Sequence, residues 1–244
     1  MVTACHDAER FIRKNLESIH SQNYPKARYR QIVIDDASDD TTREVIERFI
    51  AEHAAPSIEY VRNERRLGGC ANYTRCFRSA PPGSIVLQVD GDDWLPDRRV
   101  LARLNTLYQD PGTWMTYNSW AFPDGRPSLN SRPIAEDVIS RGAFRDAPWT
   151  ASHLHSFRAR LFAHVRDESL IDPESGDYFR SAVDMAHYFP MLELAGRHAR
   201  HVDQVLYVYN LHERSIERHA REQQLGCERR IRSLQRYAAL HSLD

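Results

Sequence analysis

The stretch SIVLQVDGDD, residues 84–93, decides the fold. Ser84 to Val89 is almost continuously apolar, as a strand covered on both faces must be. It ends directly in Asp90-Gly91-Asp92-Asp93. Such a strand belongs to a mostly parallel sheet flanked by helices, and open α/β sheets bind ligands in the crevice outside the carboxyl ends of their strands. Three carboxylates within four residues repel one another, so a fold tolerates them most easily where a cation or many donors compensate. Asp90 and Asp92 are spaced to converge on one hard cation together with diphosphate oxygens, which is the chemistry of Mg²⁺ or Mn²⁺ acting as a Lewis acid on a leaving diphosphate. Taken alone, the same acids also describe a solvated turn with a helix cap at its end. A calcium loop is disfavoured, because Trp94 and Leu95 stand where that motif needs an oxygen ligand and a glycine.

Upstream of this strand, amphipathic helical stretches alternate with short apolar runs, the pattern of βα units stacking into a parallel sheet. A first helix is predicted from Glu9 to about Ser21, with Phe11, Ile12, Leu16 and Ile19 on one stripe. RQIVIDD is a strand, and Ser38-Asp39-Asp40 then caps a helix carrying Val45, Ile46, Phe49 and Ile50. Ile58 to Val61 is a third strand, leading through NERRLGG into a helix from about Cys70 to Ser79. Downstream, a helix opened by Pro96-Asp97 carries Val100, Leu101, Leu104 and Tyr108. Residues 122–150 read as a loop without period, of the kind that more often serves binding than stability. Helical character returns around Phe157 to Val165 and from about Ser181 to Leu194, before a strand QVLYVY. From Glu213 onward the chain reads as one Arg-rich amphipathic helix. The predicted architecture is a Rossmann-like three-layer α/β/α domain over 1–212, with a nucleotide-binding half at 1–110, an acceptor half at 111–212 and a helical tail at 213–244.

The chain has 244 residues, 41% of them hydrophobic and 27% charged, which suits one globular core of ordinary composition. Its formal net charge of −1 supplies no bulk attraction for nucleic acid. The N-terminus shows neither a basic leader nor an apolar signal core, and no run of about 18 apolar residues exists, so a cytoplasmic location is expected. The cysteines Cys5, Cys70, Cys76 and Cys227 are scattered without a CxxC pair and read as reduced thiols.

HDAERFIRKNLESIHSQNYP, QIVIDDASDDTT, NERRLGGCANYTRCFRSA and IVLQVDGDDWLPD, in this order, resemble family 2 glycosyltransferases of the GT-A fold. The likeness runs over residues 2 to 215. It implies a UDP-sugar donor, with Asp36 recognising the uracil edge and Ser38 shaping its turn. Thr3 and Cys5 lie where the family's first strand opens onto the nucleotide, Gly68 and Gly69 let the backbone approach it, and Asn72 adds a polar contact. Asp90 contacts the ribose or shares the metal, Asp92 is the principal metal ligand and Asp93 a supporting acid. SAVDMAHYFPMLELAG resembles the stretch that holds the family's general base, which makes Asp184 that base and Asp177 its fallback. An apolar stripe of Ala182, Met185, Ala186 and Phe189 leaves Asp184 off it, on an exposed face. YVYNLHERSIER resembles the closing segment whose His completes the metal shell, here His212, and an imidazole ligand favours Mn²⁺ over Mg²⁺. His153, His155, Arg158 and Arg160 are candidates to flank the acceptor or diphosphate.

The implied reaction is inverting transfer of a sugar to a glycan or lipid-linked acceptor, with peripheral contact to the inner face of a membrane as one use of the Arg-rich tail. Two features depart from the family. Only Met1 and Val2 precede Thr3, so the first strand is short or its start lies upstream, and Cys5-His6 replace the usual aromatic-Asn pair. Pro190 should kink the helix that bears Asp184. A non-catalytic nucleotide-binding protein of the same fold stays open. A nucleotidyltransferase ranks lower, since HDAERF lacks a Gly-rich loop with Lys.

Overall fold

In a computed structural model of the chain, residues 1–212 and 221–243 are described. Seven strands form one sheet in the order β3-β2-β1-β4-β6-β5-β7. They are β1 (Val2–Cys5), β2 (Gln31–Asp35), β3 (Ile58–Arg62), β4 (Ile85–Gln88), β5 (Met115–Ala121), β6 (His155–Arg158) and β7 (Ala199–Val208). The strands β1 to β4 run parallel, as expected of βα units, whereas β6 is antiparallel to both β4 and β5. Four-residue β1 lies inside the sheet between β2 and β4, paired with β2 along its whole length.

Alternation along the strands builds two helical layers. Val33 faces α1 (Ile12–His20) and α2 (Thr42–His53), burying Ile12, Leu16, Val45, Ile46 and Phe49. Its neighbour Ile34 faces the other way, joining Val86 and the Cys70, Tyr73 and Phe77 side chains of α3 (Gly69–Ser79). Leu87 and Val89 meet Leu101 and Leu104 of α4 (Val100–Leu107) and Leu206 of β7. Each such aliphatic side chain taken fully out of water contributes about 1.5–3 kcal/mol, and the near-continuous apolar run of β4 is the sequence consequence of cores on both faces.

Three expectations are corrected. The stretch Phe157 to Val165 is not helical throughout: β6 occupies its start, and only α6 (Ala159–Ala163) follows as helix. Phe157 packs into the core on one face while Ser156 bonds the Tyr108 and Thr116 hydroxyls on the other, a period of two too short to stand out in the sequence. A second correction concerns α7 (Val183–Ala195), which follows the short α5 (Glu136–Arg141): it has no exposed polar face, since Met185 through Ala195 are all buried, and Pro190 lies within it without ending it. The third concerns the tail. Residues 213–220 lie outside the described residues, and the helix α8 (Arg221–Ser233) stops well before the C-terminus. Beyond it Leu234, Tyr237, Leu240 and Leu243 pack against the main core, and Leu240 N–H donates to the Leu194 carbonyl at 2.9 Å. Among the described residues, no helix is long and apolar enough to cross a membrane.

Candidate active site

The loop after β4 is shaped by its glycine. A Cβ on Gly91 would stand 2.4 Å from the Cys5 Cβ and 3.0 Å from the Ala4 carbonyl, so the acidic loop folds directly against the end of β1 only because Gly91 has no side chain. Asn15 of α1 donates one amide to the carbonyls of Asp90 and Asp93, at 2.9 Å each, and fixes the turn from below. Three neighbouring acids then have three different surroundings. Asp90 Oδ1 accepts from the Tyr73 hydroxyl and from Gln88 Nε2 at 3.1 Å, so this carboxylate is held toward α3. Asp93 is buried, and accepts from the Tyr207 hydroxyl at 2.6 Å and the Asn210 N–H at 2.7 Å. Burial and the adjacent charges of Asp92 and Asp90 push its carboxyl well above the usual range. Asp92 alone is substantially open, at 38% side-chain exposure, and its Oδ2 stands 2.9 Å from His212 Nε2.

His212 is brought there by Asp93. The bonds from Tyr207 and Asn210 to Asp93, with Asn210 Nδ2 reaching the Asp92 carbonyl at 3.1 Å, fasten the chain beyond β7 across the acidic loop. Phe11 stacks obliquely on the His212 ring with centroids 4.5 Å apart. Among the described residues, no three His, Cys, Asp or Glu side chains form a metal site made by protein alone. Asp92 and His212 do form a two-donor mouth, an oxygen and a nitrogen from positions 120 residues apart. That donor set would suit a divalent ion such as Mn²⁺. Of the three expected ligands, Asp92 and His212 meet, whereas the bonded oxygen of Asp90 is committed elsewhere.

The residues expected around the nucleotide are more deeply set than the sequence suggests. Thr3 is fully buried and accepts from Gln31 Nε2 at 3.0 Å, and that amide also reaches Asn15 at 3.0 Å, so Thr3 supports the acidic loop from beneath. Cys5 is buried under Gly91, and burial raises its thiol well above the ordinary range. Asp36 accepts from Asn63 Nδ2 at 2.7 Å and from the N–H groups of Leu67 and Gly68 at 2.8 Å each. Burial opposes its ionisation, yet Asn72, Leu67, Asn63 and Gly68 together hold its carboxyl below the usual range. Asp36 therefore pins the loop ahead of α3, where Gly68 adopts a φ of 90°. Asn72 is buried, and its oxygen accepts from Asn63 Nδ2 at 2.8 Å. His6, which follows β1, is partly exposed, and its Nδ1 lies 3.0 Å from the Asp36 carbonyl.

Asp184 enters at the start of α7. The preceding Ala182 has a left-handed φ of 54°, and Asp7 and Ala37, which follow β1 and β2, have φ values of 50° and 57°. Such positions cost about 1–3 kcal/mol each and gather where a chain is bent to serve a site. Asp184 Oδ2 accepts from Trp149 Nε1 at 2.9 Å, and burial lifts its carboxyl above the usual range, which suits a proton acceptor. The ring of His153, two residues ahead of β6, stacks near-parallel on Tyr207 and Tyr209 with centroids 4.9 and 5.4 Å away. His155 is buried against Tyr188, 3.5 Å between centroids, and burial drives its basicity well down. Arg158 pairs in register with Ile85 at the start of β4, the opposite end of the sheet, so it does not flank the diphosphate as expected. Asp177 is an exposed partner of Arg180. Sequence reasoning missed Trp149, Tyr73, Tyr207 and Asn210, the groups that aim the acids.

An α/β sheet with acids at two strand ends, a helix-borne carboxylate and an imidazole folded back over them is the GT-A glycosyltransferase architecture. The family model described as Glycosyl transferase family 2 matches residues 1–166, and the chain belongs to that family. The curated poly(ribitol-phosphate) beta-N-acetylglucosaminyltransferase TarS of Staphylococcus aureus is 25% identical over 95 residues, which span 39% of this chain but only 16% of TarS. Among solved structures, S. aureus TarS 1-349 in complex with UDP-GlcNAc superposes with a TM-score of 0.64 at 17% identity, covering 94% of this chain and 64% of that one. The mannosyltransferase PcManGT from Pyrobaculum calidifontis, in complex with GDP-Man and Mn²⁺, gives 0.65 at 22% identity, covering 97% and 64%. At these identities the superpositions establish the fold.

Proposed function

We propose that the chain is an inverting, metal-assisted transferase that moves a hexosyl or N-acetylhexosaminyl group from a UDP-sugar to a hydroxyl of a glycan or lipid-linked acceptor. The carrying observation is the 2.9 Å approach of Asp92 to His212 at the mouth of the sheet, an oxygen and an imidazole nitrogen brought together from positions 120 residues apart. Asp92 and His212 would hold a divalent cation, which supplies charge compensation for the departing diphosphate. Asp184 takes the proton from the acceptor hydroxyl as its oxygen attacks the anomeric carbon, on the side opposite the leaving UDP, so configuration inverts. TarS crystallised with UDP-GlcNAc supports a uridine donor. A guanosine donor is the second reading, because the Asp36 carboxylate expected at the uracil edge is already bonded by three donors and PcManGT was crystallised with GDP-Man.

Thermal shift with UDP, GDP, CDP and TDP, each with and without Mn²⁺, tests the reading. A ligand at about 100 times its Kd stabilises by about 2.7 kcal/mol, so UDP with Mn²⁺ is expected to raise Tm by about 5–10 °C. Asp184→Asn should then cut donor-dependent turnover to a small residual rate and leave that shift intact. No shift with any of the four diphosphates would sink the proposal. A shift accompanied by wild-type turnover in Asp184→Asn would remove Asp184 as base.

A further inference from the structure

The loop that carries Trp149 is held more firmly than a polar surface loop needs to be. Arg145, four residues upstream, is buried and makes a two-pronged ion pair with Glu193 of α7, at 2.7 and 3.0 Å. Its remaining nitrogen donates to the Ile231 carbonyl of α8 at 2.5 Å. From α8, Arg232 donates to the carbonyls of Arg145 and Ala147 at 2.7 and 2.9 Å. The indole of Trp149 packs edge-on against Phe189, five residues beyond Asp184 in α7, with centroids 4.9 Å apart. The only polar atom of that side chain then ends 2.9 Å from Asp184 Oδ2.

We propose that Trp149 is a positioning residue for the base: its indole N–H fixes the plane of the Asp184 carboxylate so that the second oxygen faces the acceptor hydroxyl. The inference rests on Asp184 being the base, as argued above. An indole N–H can only donate, so it binds the carboxylate without competing for the acceptor's proton. It is also neutral. A Lys or Arg in its place would hold the same oxygen but pull the carboxyl down by a full opposite charge and weaken it as a base. The buried Arg145–Glu193 pair and the Arg232 bonds hold the loop still, so that a rotation of the carboxylate is resisted by packing. Misplacement of a reacting group by about 1 Å costs on the order of 100-fold in rate.

Trp149→Phe removes the N–H and keeps a ring against Phe189. The inference expects kcat to fall by at least about tenfold, with the donor KM, the Mn²⁺-dependent nucleotide shift and Tm close to wild type. In an Asp184→Asn background the same change should lower the residual rate no further, because the group being aimed is gone. Independently of turnover, the Trp149 indole N–H resonance in ¹H-¹⁵N spectra, assigned by its loss in Trp149→Phe, should move on Asp184→Asn. Wild-type kcat in Trp149→Phe, an equal fall in both backgrounds, or an indole signal indifferent to Asp184→Asn would each overturn the inference. If Asp184→Asn keeps only a small residual rate while Trp149→Phe is fully active, this inference alone fails. If Asp184→Asn turns over normally, the assignment of the base fails first and takes this role with it.

Discussion

The two halves of the domain place their site residues by different means. In residues 1–110 each acid lies at the end of a parallel strand, and the strand's position in the sheet already carries it to the crevice: Asp36 follows β2 and Asp90 to Asp93 follow β4. In residues 111–212 the site groups come from a helix start, an irregular loop and the chain after β7. They reach the crevice through polar bonds spanning long sequence distances, such as Trp149 to Asp184 and Asn210 to Asp93. The first half is therefore vulnerable to steric insult at a strand end, and the second to deletion of one member of a polar pair.

The largest effect expected on stability lies in the second half. Glu193→Ala leaves the Arg145 guanidinium buried with its main partner gone, in a site where both side chains are 1% exposed. Breaking such a pair from one side costs about 3–5 kcal/mol, so Tm should fall by about 10 °C or more by calorimetry. A drop of under about 1 kcal/mol would show that the pair behaves as a surface contact and that the second half is not held this way. Next comes the seam between the halves. Asp92→Ala should cut kcat by about 100- to 1000-fold, the range for loss of one group that stabilises developing charge, and abolish the Mn²⁺ dependence of nucleotide binding. Metal-dependent binding that survives Asp92→Ala would separate Asp92 from the cation.

A smaller loss is expected in the first half. In Gly91→Ala the added Cβ meets backbone and Cβ atoms of β1, which have no flexible end to move aside. Overpacking of this kind costs about 1–3 kcal/mol. The acidic loop must lift from β1, so nucleotide-dependent stabilisation should weaken as well. Unchanged Tm together with an unchanged nucleotide shift would mean that the loop does not depend on its contact with Cys5.

The same division explains what the sequence reveals. The βα units are legible because each strand and helix carries its own period, and because the apolar run before Asp90 states that both faces of β4 are covered. The pairing of Asp92 with His212 was reached through family resemblance, and the geometry agrees. β6 escaped because its four residues, HSFR, are too few to announce a strand. α7 was misjudged because its polar residues are spent on partners elsewhere in the fold: His187 on Thr74, Tyr188 on Gln88 and Glu193 on Arg145. A helix that satisfies its polar groups by tertiary bonds looks amphipathic in one dimension and is buried all round in three. Asp36 shows the converse, since a carboxylate expected to read a base has its oxygens occupied by the neighbouring loop.

The C-terminal segment extends the comparison beyond the two halves, because three of its arginines, expected on a solvated or membrane-facing helix, bind the domain itself. Arg230 holds Asp172 with two bonds of 2.6 Å, Arg232 grips the loop of Trp149, and Arg236 pairs with Asp146. The Arg230 bonds depress the Asp172 carboxyl below its reference value of 3.8. A carboxyl with a folded pKa below its unfolded one contributes stability that is complete above the unfolded value and lost as pH falls through the folded value. The contribution to docking of α8 is therefore constant at neutral pH and begins to be lost as pH falls past about 4. Arg230→Ala should lower Tm slightly at pH 7 and flatten the decline of Tm between about pH 5 and pH 3. A decline as steep as wild type would mean that acid sensitivity resides in other carboxylates, with Asp36 next to test, since the donors around it also hold it low. The variant's effect on kcat should be smaller than that of Trp149→Phe, because Arg232 still fastens the loop when Arg230 is gone.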